Sequence, residues 1–163
     1  MDIHLLRQQH DDLAIVAGEL LSAISSETYQ SVATLRWKLA RELIVHLGVE
    51  DRLLYPALID SPNRTTALLA SQFKAEMGGL ADAFTSYMAT WDSQRMVREW
   101  PDFCRETRAI LALLRARMER ENSELYPQAQ LAVSRAPVPL FEQGVVPPMG
   151  AITKSGALNT LQH

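Results

Sequence analysis

Two stretches decide the reading of this chain: HLGVEDRLLYP at 46–56 and RMERENSELYP at 117–127. Both carry E-x-x-x-L-Y-P, with Glu50-Leu54-Tyr55-Pro56 repeated as Glu121-Leu125-Tyr126-Pro127 at an offset of 71 residues. An internal repeat of this kind reads as one structural unit duplicated. In each copy a second polar residue stands four positions before the glutamate, His46 in the first and Arg117 in the second. Residues four apart lie on one face of a helix, so their polar atoms converge on one point.

Working outward, the apolar residues around these stretches recur at three and four, the period of a helix, and alternating Val/Ile/Thr runs are almost missing. The spacing predicts helix A from about Ile3 to Ile24, with Ile3, Leu6, His10, Leu13, Ala17 and Leu20 on one face. Helix B is expected from about Tyr29 to Ile59 on Val32, Leu35, Leu39, Leu43, His46, Glu50, Leu53 and Ala57, broken by the turn DSPN. Helix C runs from about Thr65 to Trp91 on Leu69, Phe73, Met77, Leu80, Phe84, Tyr87 and Trp91. Helix D opens at Pro101, since proline suits a first helical position, and carries Phe103, Thr107, Ile110, Leu114, Arg117, Glu121 and Leu125. Four such helices with short links predict an all-α, up-down-up-down four-helix bundle over residues 1–134. Residues 135–163 hold four of the eight prolines and three of the seven glycines, and read as a flexible C-terminal tail.

Composition narrows the function. With 163 residues, 47% of them hydrophobic and 21% charged, the chain suits one domain with a packed core. A net charge of −3 argues against non-specific nucleic-acid binding. Cys104 is the only cysteine, so an intrachain disulfide and a multi-cysteine metal site are excluded. The first residues have no uninterrupted apolar run, and no stretch of about 18 apolar residues occurs. The expectation is a cytoplasmic chain that neither crosses a membrane nor binds nucleic acid.

Five polar residues interrupt the apolar stripes: His10, His46, Glu50, Arg117 and Glu121. Each is expected to be buried and therefore paired, because an unpaired buried polar group costs a few kcal/mol. Aligning His10–Leu13 with Met77–Leu80 places Met77 opposite His10, as the 71-residue offset places Arg117 opposite His46. Only the glutamates survive in both halves.

The helix-A histidine, the H-x-x-x-E with L-Y-P and the second E-x-x-x-L-Y-P together resemble the hemerythrin-like (HHE cation-binding) domain over roughly residues 3–132. The resemblance implies a bundle holding a non-haem di-iron centre, with His10 and His46 on one iron and Glu50 and Glu121 as bridging carboxylates. It also implies terminal ligands for the other iron at positions that match Phe73 or Met77 and Arg117, where this chain has none. The expected occupancy is therefore one divalent metal, iron favoured over zinc or manganese, on His10, His46, Glu50 and Glu121. Charge points the same way: Glu50, Glu121 and Arg117 leave the pocket at −1, one divalent ion makes it +1, and two would make it +3. Arg117 is expected to stand in for the second cation, with forked hydrogen bonds to both carboxylates.

Such a domain would act as a sensor or regulator of iron, redox state or a gas. The alternative is a metal-free structural or interaction module, working through its surface or tail, in which a protonated histidine and Arg117 neutralise both glutamates. A mononuclear iron enzyme is a third reading, for which the sequence supplies no acid–base pair. Tyr55 and Tyr126 are expected to pack at the bundle end, the alternative being that each hydroxyl hydrogen-bonds a ligand. Cys104 reads as a small buried hydrophobe, His4 and His163 as solvated, and Arg105, Arg108, Arg115 and Arg120 as a solvated face.

Overall fold

The computed structural model describes residues 2–134, leaving aside the side chains of Met77, Gly78 and residues 132–134. The tail at 135–163, His163 and the side chain assigned to the vacant position 77 lie outside the described residues. All regular structure among the described residues is helical. The order is α1 Ile3–Ser25, α2 Tyr29–Val49, a π turn Glu50–Leu54, α3 Tyr55–Ile59, α4 Arg64–Thr90, α5 Ser93–Arg98, α6 Trp100–Arg120, a second π turn Glu121–Leu125, and α7 Tyr126–Ser134. Helix α1 packs on α2 and α6, and α4 packs on α3 and α6, which gives the expected all-α bundle. No described helix is long and apolar enough to cross a membrane.

Local chemistry sets the helix ends. Asp2 accepts from the His4 amide at the start of α1, and Asn63 accepts from the amides of Thr65 and Thr66 at the start of α4. These side chains satisfy donors that the first turn leaves open. Glu27 takes a left-handed φ of 54° as the chain turns from α1 into α2. Asp92 caps α5, a short helix the apolar periodicity does not reveal, by accepting from Gln94 and Arg95.

The repeated motif has a geometry that a plain helical reading misses. At both copies the helix widens: the Tyr55 amide donates to the Glu50 carbonyl and the Tyr126 amide to the Glu121 carbonyl, five residues back instead of four. Pro56 and Pro127 follow directly. Proline has no N–H and its ring clashes with the carbonyl four residues back, so the α-ladder cannot continue unaltered through it. This corrects helix B as one unbroken α-helix. The extra residue moves the buried face on by one, so Leu53 and Ala57, expected inside, are exposed, and Leu54, Tyr55 and Leu58 are buried instead.

Two apolar clusters fill the interior. The larger one includes Leu13, Leu20, Leu39, Leu43, Phe84, Trp91, Phe103 and Leu114. The smaller one gathers Leu6, Leu54, Tyr55, Leu58, Phe73, Leu125 and Tyr126 around the π turns. Along α1, His10 falls between Leu6 of one cluster and Leu13 of the other; along α6, Arg117 and Glu121 fall between Leu114 and Leu125. The polar residues thus form a layer across an otherwise apolar interior.

Candidate metal centre

His10, His46, Glu50 and Glu121 are all buried, Glu50 and Glu121 completely, and each offers one ligand atom within 4.8 Å of the others. Helix α1 supplies His10 and α2 supplies His46, while the two π turns begin with the glutamates. His10 Nε2 lies 3.1 Å from His46 Nε2 and 3.3 Å from Glu121 Oε2, and His46 Nε2 lies 3.5 Å from Glu50 Oε2.

The outer ring nitrogens decide what these inner atoms carry. His10 Nδ1 faces Asn122 Oδ1 and His46 Nδ1 faces Gln9 Oε1, both at 3.1 Å. Facing oxygens, each Nδ1 is placed to donate, and in a neutral imidazole with its proton there Nε2 is left as a bare lone pair. The Tyr126 hydroxyl is 3.1 Å from His10 Nε2, but its single proton goes to Glu50 Oε1 at 2.9 Å. In that tautomer two lone pairs face one another, and Glu50 Oε2 and Glu121 Oε2 are buried without a hydrogen-bond donor. Four electron-pair donors converge where no donated proton reaches them. Burial without a partner costs ~1–3 kcal/mol for each such group, and a shared cation would relieve all of them.

The other half of the layer is filled. The Arg117 guanidinium, 6% exposed, donates from Nε to Glu121 Oε1 at 2.7 Å, and from Nη2 to the Tyr55 hydroxyl and the Phe73 carbonyl at 2.9 Å each. It stacks over the Phe73 ring at 4.2 Å, and the Tyr55 hydroxyl donates to Glu121 Oε1 at 3.3 Å. The expected fork to both core carboxylates is corrected: the second carboxylate of Arg117 is Glu76, at 3.2 Å, which also receives Arg120, and Glu50 takes its hydrogen bond from Tyr126. The cause is position, since the Tyr55 hydroxyl occupies the third direction of the fork. Phe73 is fully buried and has no donor for a metal. Among the described residues, the side chains fit one cation on the histidine side and form no ligand set for a second.

Burial and neighbouring charges also shift the ionisable groups of the layer. Burial first, and the neighbouring His10 second, push His46 down to about 4, so it stays neutral at pH 7. Burial first, and the Glu121 carboxylate second, push Glu50 up to about 8. In the metal-free layer the Glu50 carboxyl thus takes up a proton more readily than a free one and His46 resists one, while Arg117 pairs with Glu121. Burial also raises the hydroxyls of Tyr55 and Tyr126 above the usual phenol range, so both remain donors.

Gln9, Asn122, Arg7 and Glu76 escape the stripe analysis because none breaks an apolar face; the only signal is adjacency, Gln9 beside His10 and Asn122 beside Glu121. Arg36 was also missed. It is 5% exposed, donates to the Trp91 carbonyl at 2.9 Å and stacks on Tyr87 and Phe103, far from the centre along α2. Cys104 is buried, while His4, Arg105, Arg108 and Arg115 face solvent; Arg120, expected on the solvated face, is half-buried instead, paired with Glu76 over the Phe73 ring.

A helical bundle with a buried layer of two imidazoles and two carboxylates offers a ligand set that could hold a metal ion. The family model for the hemerythrin HHE cation binding domain matches residues 1–129, and the chain belongs to that family. No curated protein and no solved structure matches it.

Proposed function

We propose that this protein holds one divalent metal on His10, His46, Glu50 and Glu121 and acts as a sensor or regulator of iron, redox state or a bound gas. The observation that carries the reading is the approach of His10 Nε2 and His46 Nε2 to 3.1 Å while each Nδ1 faces an amide oxygen. With both ring protons on Nδ1, such a pair repels unless a cation lies between. Iron is the favoured ion; zinc and manganese also suit a set of two nitrogens and two carboxylates. Bound iron would supply one-electron redox chemistry. The chain's own residues orient and shield: Tyr126 holds Glu50, Arg117 holds Glu121, and the apolar clusters on either side exclude water.

Because metal binds only the folded arrangement, occupancy is coupled to the stability of the π turns, a plain basis for a regulator. A second reading, a metal-free interaction module, is favoured by the Arg117–Glu121 pair, which neutralises one of the two core carboxylates without a metal. The lone cysteine supports a reducing, cytoplasmic setting, and residues 135–163 would serve as a separate tail available to a protein partner. Metal analysis of protein purified without an affinity tag tests the proposal. A stoichiometry near one is expected; near zero would favour the metal-free module, and near two would overturn the single-site reading.

A further inference from the structure

We propose that Asn122, held by Arg7, is a positioning residue: it dictates that His10 turns a bare Nε2, and not an N–H, toward the centre. As a statement about metal affinity this rests on the single-metal reading; as a statement about the imidazole it does not.

An imidazole can place its one proton on either nitrogen, and the hydrogen bond at the outer nitrogen chooses. At His10 that neighbour is the Asn122 side chain, 3.1 Å from Nδ1. An amide presents either its oxygen or its NH2, so Asn122 could in principle impose either tautomer. Arg7 restricts that freedom. Its guanidinium has no acceptor; it is anchored by donating to the Asn122 backbone carbonyl at 3.1 Å and points toward the side-chain Oδ1 at 3.5 Å, which favours the oxygen as the face of Asn122 shared with His10. Arg7 also lies over the Tyr126 ring at 5.6 Å, which fixes it from the other side.

The duplication supplies an independent argument. The alignment that sets His10 opposite Met77 sets Arg7 opposite Lys74, and the one that sets Glu50 opposite Glu121 sets Asp51 opposite Asn122. Lys74 Nζ indeed lies 3.4 Å from Asp51 Oδ1. The contact from a cation, one turn before the ligand position, to the residue after the glutamate is thus built into both halves. Where the histidine has been lost, the pair is solvated, with side chains 48% and 68% exposed. Where the histidine remains, the oxygen faces the ring, which the bare scaffold does not require.

The test compares the parent with Asn122→Leu, which removes the acceptor at similar size, and Asn122→Asp, which restores an oxygen. Long-range proton–nitrogen NMR of the metal-free proteins reads the His10 tautomer, and titration with zinc and with anaerobic Fe(II) reads affinity. The parent and Asn122→Asp should show His10 protonated on Nδ1. Asn122→Leu should shift the proton to Nε2 and weaken metal binding by about 10–100-fold. An unchanged tautomer in Asn122→Leu, or a metal affinity equal to that of a parent that does bind, would overturn the assignment. A parent that binds no metal defeats the functional reading alone, and the tautomer then decides this one. Should Asn122→Leu not fold, Arg7→Leu takes its place: a mixed tautomer at His10 is expected, and an unmixed one overturns the role.

Discussion

Arg117 sets a fixed positive charge against Glu121 in the dry interior, where the pair can be strong only because every other guanidinium direction is also used, by Tyr55, Phe73 and Glu76. Removing one partner of such a pair leaves the other uncompensated, a loss of ~3–5 kcal/mol in well-buried cases. Arg117→Leu is therefore expected to destabilise the metal-free protein by ~3 kcal/mol or more, read from urea denaturation at neutral pH. The same change makes the pocket more negative, so metal should bind more tightly, which calorimetry would show. Unchanged stability would mean that Glu121 takes up a proton at no cost, contrary to this account of the layer.

At the scale of the elements, the two π turns do most to shape the centre. Each adds one residue to a helical turn just before a proline, and each brings a leucine and a tyrosine inward together below a glutamate. An unbroken α-helix would have left Tyr55 on the flank of Glu50. The shifted face makes a sharp prediction about two adjacent leucines. Leu54→Ala should cost ~2–5 kcal/mol, as truncation of a fully buried leucine does, whereas Leu53→Ala, at a site 54% exposed, should stay within ~0.5 kcal/mol. Reversed costs would place the helix in simple α register. A smaller effect belongs to α5, where Asp92→Ala should lose ~0.5–2 kcal/mol with its two cap hydrogen bonds, measurable by thermal unfolding.

For the whole molecule, one metal held by α1, α2 and the two π turns, as proposed, would join both halves of the duplicated bundle. At a free metal concentration one hundred times the dissociation constant it should add ~2.7 kcal/mol to unfolding, and a chelator should remove that increment. The duplication also predicts that the lost half can be rebuilt: Met77→His with Arg117→His should raise the stoichiometry from one metal to two. A folded double variant that takes up no more Fe(II) than its parent would break the alignment of the halves. Much of this architecture was legible in residue order alone, because helical period and repeated motifs are local properties: four helices, the buried faces of α1 and α6, and the convergence of His10, His46, Glu50 and Glu121. The shift from Leu53 to Leu54 was not legible, since a proline announces a break in the ladder without saying whether the helix ends or widens. Nor were the partners of Arg117 and the grip of Asn122 on His10, which join residues 41 and 112 positions apart. Which long side chain reaches which acceptor is decided only when packing sets the distances between helices, and only the tertiary structure does that.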